Sequence, residues 1–208
     1  LWVNIREKCV QGRRTGIGIT AEGDMLAALG LQYGSDKGIE FSTKVHETLA
    51  VECYRGSVTL AKDRGAFPVY DATKEENNPF VGRIKKSDPK LYEEMVEHGR
   101  RNIALLTIAP TGTTSLMSQT TSGIEPVFLV AYKRRRKVNP NDRDVTVAFI
   151  DEVGDSWEEY NVFHHKFVTW LEVNGYNVKE VKALEDDALN EIIVASPYHL
   201  STSNDIDW

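Results

Sequence analysis

Residues 109–128, APTGTTSLMSQTTSGIEPVF, decide how the rest of the chain is interpreted. An uncharged apolar segment, residues 103–108 (IALLTI), precedes them and predicts a buried strand. Pro110 has no backbone N–H and ends that strand, and Gly112 permits a tight turn. Three hydroxyl residues then begin a predicted short helix: Thr113, Thr114 and Ser115.

A strand, a glycine turn and a helix start together form an arrangement that binds anions. The free N–H groups of the first helical turn and the positive end of the helix dipole point toward the same place. Phosphate is the natural ligand for such a place. From the loop alone, an ordinary strand-to-helix turn without a ligand is an equally good interpretation.

Several motifs carry a family resemblance that covers essentially the whole chain. APTGTTS and SGIEPVF resemble, at the family's mutual spacing, the phosphate-binding segment of the large catalytic subunit of ribonucleotide reductase. Residues 12–31, GRRTGIGITAEGDMLAALGL, resemble the family's earlier strand–loop–helix unit. AYKRRRKVNPND and FIDEVGDSWEEYNVFHHKF, at residues 131–142 and 149–167, resemble its adenosylcobalamin-dependent branch, class II.

The predicted fold class is α/β, because extended segments alternate with long helices. The resemblance implies more: residues 1–208 form a single partial domain, the second part of the ten-stranded α/β barrel of the reductases. The chain begins within a helical pattern and ends just after SNDIDW. We therefore expect a fragment of a longer protein.

The resemblance implies an enzyme, a ribonucleoside-diphosphate reductase that makes deoxyribonucleotides by thiyl-radical chemistry. It implies adenosylcobalamin as cofactor, a ribonucleotide substrate and a dithiol reductant such as thioredoxin, and it permits a homodimer. The family's substrate phosphate-binding segment is matched position by position by Pro110, Thr111, Gly112, Thr113 and Thr114. The family's radical cysteine, redox cysteine pair and assisting Asn and Glu have no match. No catalytic residue is expected in this chain, which is expected to be inactive alone.

Residues 123–126, GIEP, match a second family signature, which we interpret as structural support for the phosphate segment. Two alternatives stay open. One is the class I large subunit, which needs a separate radical-generating subunit. The other is a non-catalytic nucleotide-binding module that has kept this half of the barrel. The upstream coding sequence would separate the second alternative from an enzyme, because it would show whether the radical and redox cysteines exist.

Composition is that of a globular protein of 208 residues, with 41% hydrophobic and 27% charged residues. The net charge of −6 argues against a general nucleic-acid binder, and no apolar run is long enough to span a membrane. Cys9 and Cys53 are too few for a disulfide framework, which fits a cytoplasmic location. Both lie in helical patterns, and we interpret them as buried structural cysteines.

Two further motifs suggest ligands but have simpler interpretations. GIGITA, residues 16–21, fits a dinucleotide fingerprint, but Asp36 falls in a glycine-rich loop where the fingerprint needs a second strand. We interpret its glycines as sites of close packing. KRRRK, residues 133–137, lies in an extended segment whose alternate side chains face opposite sides. It is interpreted as solvated or ion-paired and not as a phosphate site.

No metal site is predicted. The spacing of an acidic cluster does not match a calcium-binding EF-hand loop, so a solvated turn is the interpretation: Asp151, Glu152, Asp155, Glu158 and Glu159. His164 and His165 are adjacent and lack an HExxH motif or a cysteine partner. We expect His164 to pack or to form a hydrogen bond.

The remaining periodicity predicts the secondary structure. Helices are expected at residues 1–11, 21–29, 41–64, 87–98, 161–174 and 179–193. Extended segments are expected at residues 15–20, 127–138 and 145–150, with NPND (residues 139–142) as the turn between the last two, and loops at 30–38 and 65–79. The long helix at 41–64 should bury one stripe: Phe41, Val45, Leu49, Cys53 and Leu60.

Overall fold

The longest element is the helix Asp36–Arg64, which begins five residues earlier than the sequence pattern predicts. The computed structural model describes residues 1–207, and these fall into two units. The first unit comprises Leu1–Ile19 and Ile39–Pro110. The second comprises Thr20–Gly38 and the residues from Thr111 onward.

The helices follow one another in chain order and are numbered accordingly. They are α1 Trp2–Gly12, α2 Glu22–Ala28, α3 Asp36–Arg64, α4 Ala72–Glu75, α5 Pro79–Ser87, α6 Pro89–His98, α7 Gly112–Ser118, α8 His165–Val173, α9 Val178–Lys182 and α10 Asp186–Ala195. The strands are β1 Ala131–Lys137, β2 Phe149–Ile150 and β3 Ser156–Phe163.

Local capping explains the helices of the first unit. The predicted start of α6 is confirmed, because the Asp88 side chain accepts a hydrogen bond from the Leu91 N–H at 2.9 Å. The region predicted as a loop at residues 65–79 contains α4, and α5 was not predicted. Asp71 and Asn78 cap these two helices by accepting from backbone N–H groups two residues ahead. Neither of these two caps was predicted from the sequence.

The buried face of α3 differs from the predicted stripe. Tyr54, Ser57, Val58 and Ala61 are buried, whereas Leu60 is 41% exposed. The remaining predicted positions are only half-buried: Phe41, Val45, Leu49 and Cys53. The buried face could not be predicted from the apolar residues alone, because it includes the polar residue Ser57. Its hydroxyl donates to Asn102 Oδ1 at 2.9 Å and accepts from the Asn102 N–H at 3.1 Å.

The core of the first unit surrounds a buried arginine. Its apolar cluster consists of Tyr54, Val58, Val81, Ile84, Leu91, Met95 and Leu105. Arg100 is 2% exposed, and its Nη2 lies 2.8 Å from Glu75 Oε1. The guanidinium also donates to the carbonyls of Asn102 and Ile103 and lies over three aromatic rings, those of Tyr54, Phe67 and Tyr70.

The strands predicted at residues 15–20 and 103–108 are reduced to one parallel bridge between Ile17 and Leu106. Ile17 N–H donates to the Leu105 carbonyl at 2.8 Å, and Thr107 N–H donates to the Ile17 carbonyl at 3.0 Å. Ile108 is 62% exposed, so the second segment is not buried throughout. The prediction of two full strands was wrong for the described residues, where each segment pairs only over this short length.

The second unit contains a three-stranded antiparallel sheet in the order β1–β3–β2. β1 pairs with β3 from Ala131 opposite Phe163 to Lys137 opposite Trp157. The extended segments predicted at residues 127–138 and 145–150 contain β1 and β2, and each pairs with β3, which was not predicted as a strand. Asp142 N–H does close a turn on the Asn139 carbonyl.

Two predicted helices of the second unit are shorter than expected. The segment 161–174 begins as the end of β3 and becomes helical only at α8. The segment 179–193 is divided into α9 and α10, because the Asn161 side chain takes the carbonyls of Lys182 and Leu184 as acceptors between them. The core of this unit includes Ala27, Val127, Val130, Phe163, Phe167, Leu171, Val181, Leu189 and Tyr198.

The described residues form both helices and strands, which agrees with the predicted α/β class. The three antiparallel strands do not test whether the chain forms part of a barrel wall. The ten-stranded barrel therefore stays a prediction. Within residues 1–207, no helix is both long enough and apolar enough to cross a membrane.

Candidate functional site

The predicted phosphate segment lies at the start of α7. Pro110 is the last residue of the first unit, and Thr111, Gly112, Thr113 and Thr114 belong to the second. Gly112, Thr113 and Thr114 are exposed and provide the first three N–H groups of the helix. Such groups have no acceptor within a helix. The hydrogen bonds described for residues 1–207 include none from these amides or from the Thr113 and Thr114 hydroxyls.

Thr111 holds the backbone bend that aims these amides. It lies in the left-handed region at φ 46°, where a β-branched residue is uncommon and strained. Its carbonyl accepts the Ser115 N–H at 2.8 Å, which closes the first turn of α7. We expected the permissive residue to be Gly112. The positive φ falls on Thr111, one residue earlier, and an added Cβ on Gly112 would meet nothing within 4 Å.

The Thr111 hydroxyl joins the two halves of the stretch 109–128. It accepts a hydrogen bond from the Gly123 N–H at 2.7 Å and lies 2.8 Å from the hydroxyl of Thr20. The Gly123 N–H also approaches Thr20 Oγ1 at 3.2 Å. The hydroxyl of Thr111 is therefore occupied by the protein, while the amides and hydroxyls that follow it are open.

The GIEP signature at residues 123–126 packs closely against α2. A Cβ on Gly23 would lie 2.8 Å from Pro126 Cα and 2.9 Å from the Glu125 carbonyl oxygen. The Tyr33 hydroxyl donates to the Ile124 carbonyl at 2.9 Å. These contacts hold the signature next to α2, and the Gly123 amide ties it to Thr111.

A buried polar cluster that sequence reasoning did not find lies behind this signature. Asp24, on α2, is 7% exposed, and its Oδ1 accepts from His164 Nε2 at 2.7 Å and from the Tyr198 hydroxyl at 2.8 Å. Its Oδ2 accepts the Thr121 N–H at 2.8 Å. The expectation that His164 forms a hydrogen bond is confirmed. The sequence does show Asp24 as the one acidic residue within the apolar run GDMLAALGL, which could have indicated a buried carboxylate. Its partners could not be predicted, because they are far away in sequence.

The hydrogen bonds keep Asp24 ionised. Burial raises the pKa of its carboxyl, but hydrogen bonds from His164, the Thr121 N–H and Tyr198 outweigh burial, so the net pKa is lowered. Because an ionised carboxylate only accepts, His164 Nε2 carries the hydrogen between them. Burial, and then the charge of Asp24, raises the pKa of Tyr198, which stays a donor.

A groove of about 900 Å³ opens beside this cluster. Asp24 and Met25 of α2, Lys166 and Trp170 of α8, and Pro197 contribute to its lining. The groove is mainly apolar, and the carboxylate at its edge is already fully hydrogen-bonded within the protein. The groove therefore offers a ligand an apolar surface, and the Asp24 carboxylate at its edge already has hydrogen-bond donors from the protein.

The family described as "Ribonucleotide reductase, barrel domain" matches residues 3–198. The chain belongs to the ribonucleotide reductase barrel-domain family. The chain is 34% identical over 122 residues to the vitamin B12-dependent ribonucleoside-diphosphate reductase of Mycobacterium tuberculosis (strain CDC 1551 / Oshkosh), an alignment that covers 59% of the chain and 15% of the relative. The protein of the same name from Thermoplasma acidophilum is 33% identical over 122 residues, with 59% and 14% covered.

A relative whose name does not mention vitamin B12 also matches this barrel-domain chain. The ribonucleoside-diphosphate reductase subunit alpha of Treponema pallidum is 27% identical over 128 residues, which cover 60% of the chain and 15% of the relative. The chain thus spans about 15% of the length of the curated relatives it matches.

The two cysteines of this family member lie away from the phosphate segment in sequence and in different surroundings from those expected. Cys9 is exposed, so its interpretation as a buried structural cysteine was wrong. It lies on α1, where the first turns present Trp2 and Val3 to solvent as well. Cys53 is half-buried on α3, and burial, followed by the charge of Glu52, raises the pKa of its thiol.

The remaining motifs have structural roles. The close-packing interpretation of GIGITA is confirmed, because a Cβ on Gly18 would lie 2.2 Å from the Thr107 carbonyl oxygen. The ion-paired interpretation of KRRRK is also confirmed: Arg135 pairs with Glu159 and Arg136 with Glu158 on β3. Among residues 1–207, no group of three or more His, Cys, Asp or Glu side chains is arranged to hold a metal ion.

Proposed function

We propose that this chain is a segment of the catalytic barrel of an adenosylcobalamin-dependent ribonucleotide reductase. In this proposal, Pro110, Thr111, Gly112, Thr113 and Thr114 bind the phosphate groups of the ribonucleotide substrate. The observation that carries the proposal is the barrel-domain match across residues 3–198, which includes an open, amide-rich helix start. The placement of residues 1–208 as a single partial domain, the second part of a ten-stranded barrel, belongs to the same proposal.

The chemistry of the segment suits a phosphate anchor. The amides of Gly112, Thr113 and Thr114 are free of protein acceptors in the described structure, and the helix dipole favours an anion beside them. Each hydrogen bond to a charged phosphate oxygen contributes about 1.5–3 kcal/mol. The donors are backbone amides and hydroxyls, so the segment holds the substrate without placing a thiol near the reacting ribose.

Radical chemistry explains why such an anchor is needed. Replacement of the ribose 2′-hydroxyl by hydrogen requires a substrate that is held still and shielded from side reactions. The phosphate groups do not react, so they can be bound firmly throughout. The chain has no Asn-x-Cys-x-Glu stretch, which supports the view that the radical and redox cysteines of the enzyme lie elsewhere in the longer protein.

The names of two relatives support adenosylcobalamin as the cofactor of the longer enzyme. When bound, this cofactor supplies the radical that begins the reaction. The donors at residues 112–114 fit a small anion and not a corrin ring, so no residue of this chain is assigned to the cofactor. A dithiol reductant such as thioredoxin, a homodimeric assembly and a cytoplasmic location complete the proposal.

A specific observation keeps the class I large subunit as a second candidate. The Treponema pallidum relative is named as a subunit alpha and aligns over a similar share of the chain. The decisive experiment measures deoxyribonucleotide formation by the full-length enzyme with a thioredoxin-type reductant, with and without adenosylcobalamin. Turnover that depends on adenosylcobalamin supports the proposal. Turnover that needs a separate protein subunit instead assigns class I, and no turnover under either condition leaves a non-catalytic nucleotide-binding module.

A further inference from the structure

The buried carboxylate of Asp24 is connected to the phosphate segment through two hydrogen-bonded steps. Asp24 and Thr121 bond reciprocally: Thr121 N–H donates to Asp24 Oδ2 at 2.8 Å, and Asp24 N–H donates to Thr121 Oγ1 at 3.3 Å. Two residues after Thr121, the Gly123 N–H donates to Thr111 Oγ1 at 2.7 Å. Thr111 then sets the direction of the first amides of α7.

We propose that Asp24 is a positioning residue for the phosphate segment. It fixes Thr121, and through Gly123 it fixes Thr111 and the amides that follow. This inference rests on the proposed phosphate-binding role of residues 110–114. It adds to that role a side chain on another helix that never touches the substrate but sets the affinity for it.

The way the carboxylate is held supports this role. Its two oxygens accept three side-chain and backbone donors, because His164 and Tyr198 bond to Oδ1 while Thr121 bonds to Oδ2. The carboxylate therefore has one orientation. Burying a charge of this kind is costly, and an apolar residue of similar size often stabilises a fold equally well. We attribute the presence of the charged group to the precise placement of the Thr121 backbone.

The geometry downstream explains why placement matters. Gly123 and Thr111 both have positive φ, at 55° and 46°, so their conformations depend on the contacts that hold them. If Thr121 moves, the Gly123 amide loses its acceptor on Thr111, and the strained Thr111 can relax. A displacement of about 1 Å in a substrate-positioning group is enough to cost about a hundredfold in rate.

The experiment uses the full-length reductase and cytidine 5′-diphosphate as substrate. Asp24→Asn leaves one acceptor oxygen for donors that approach from two sides, and we expect KM to rise about tenfold with a smaller change in kcat. Tyr198→Phe removes one donor and should raise KM about threefold. Thr121→Val keeps the bond from the Thr121 N–H to Asp24 and removes only the acceptor of the Asp24 N–H, so it should raise KM less than Asp24→Asn does. Thr121→Ser, which keeps the hydroxyl, should have a KM near that of the wild type.

The matched control is Tyr70→Phe in the first unit. The Tyr70 hydroxyl donates to the Met95 carbonyl at 2.7 Å, so this variant loses a comparable hydrogen bond far from the cluster in sequence. Its melting temperature should fall about as much as that of Tyr198→Phe while its KM stays within about twofold of the wild type. This comparison separates positioning from a general loss of stability.

Gly112→Ala distinguishes the two proposals. If Gly112→Ala raises KM and folded Asp24→Asn and Tyr198→Phe do not, Asp24 is only structural and the phosphate segment stands. If none of the three changes KM, both proposals fall. If Asp24→Asn does not fold, Tyr198→Phe decides: a raised KM supports positioning, and an unchanged KM in the folded variant overturns it.

Discussion

The backbone N–H of Gly123 lies 2.7 Å from the hydroxyl oxygen of Thr111 and joins two signatures that are 12 residues apart. The bond uses the Thr111 hydroxyl inside the protein and leaves those of Thr113 and Thr114 exposed. The three threonine hydroxyls of the phosphate segment therefore divide into one that builds the segment and two that are free to contact a ligand.

Thr113→Val and Thr114→Val should each weaken substrate binding in the full-length enzyme. Each removes an exposed hydroxyl at nearly constant volume, so we expect a loss of about 1–2 kcal/mol, or about five- to thirtyfold in KM. The phosphates do not change charge during the reaction, and kcat should change less than KM. Steady-state kinetics measures both. Thr48→Val, at an exposed position of α3, is the control, and equal KM values for all three variants would contradict the prediction.

Gly112→Ala should fold normally and bind substrate poorly. The added methyl group meets no protein atom within 4 Å, so stability should not fall, but it occupies the space beside the first amides of α7. We expect KM to rise about tenfold. Gly82→Ala changes an exposed position of α5 that also has no neighbour within 4 Å, and it should leave KM unchanged and stabilise the helix by about 0.5–1 kcal/mol. An unchanged KM in Gly112→Ala would show that no ligand approaches this turn.

Gly18→Ala should destabilise the 208-residue chain. Its Cβ would lie 2.2 Å from the Thr107 carbonyl oxygen, a backbone atom that can move only by disturbing the bridge between Ile17 and Leu106. Overpacking of this kind costs about 1–3 kcal/mol. Urea unfolding, with Gly82→Ala as the reference, measures the difference. If the variant is as stable as the wild type, the contact between Gly18 and Thr107 does not contribute to the free energy of unfolding.

Arg100→Lys should be far more damaging than the same exchange at an exposed arginine. A lysine cannot reproduce the fork that bonds Glu75 and two carbonyls, and it would leave part of a buried ion pair without a partner. Breaking a buried pair costs about 3–5 kcal/mol, whereas Arg135→Lys on exposed β1 should change the free energy of unfolding by less than about 1 kcal/mol. Comparable losses in urea unfolding would refute the distinction.

The lowered pKa of Asp24 predicts a pH-dependent difference between the wild type and Asp24→Asn. Because the folded pKa lies below the unfolded value of about 3.9, the carboxylate stabilises the fold above that pH. This contribution is lost as the pH falls through the folded pKa. The difference in melting temperature between the two proteins should be largest near neutral pH and should shrink below about pH 4. A difference that grows in acid would contradict this assignment.

Local interactions were the part of the fold that the sequence predicted well. The start of α6 at Pro89 was readable because Asp88 and the helix it caps are neighbours in the chain. The close packing at Gly16 and Gly18 could be predicted because glycine, which has no side chain, lets another segment approach the backbone. The family resemblance supplied the phosphate segment, which no local rule could distinguish from an ordinary turn.

Long-range pairing was the part that the sequence could not give. The last residues of β3, from residue 161 on, were predicted as the start of a helix, because Phe163 and Phe167 are four residues apart and both face the core. NPND was correctly predicted as a turn, but nothing near it indicates that the ion-pair partners of β1 lie 22–24 residues away on β3. The Asp24 cluster joins residues separated by 140 and 174 positions. Nothing in one sequence marks such partners.

The run of basic residues on β1 has a consequence for the behaviour of the isolated chain. β1 is an edge strand in the order β1–β3–β2, and it places five consecutive basic residues along that edge. An incoming strand of the same kind would bring like charges into contact, so the edge opposes the growth of an intermolecular sheet. The charged edge thus acts as protection against aggregation. Neutral replacements along β1 should increase light scattering at high protein concentration well before they alter the fold.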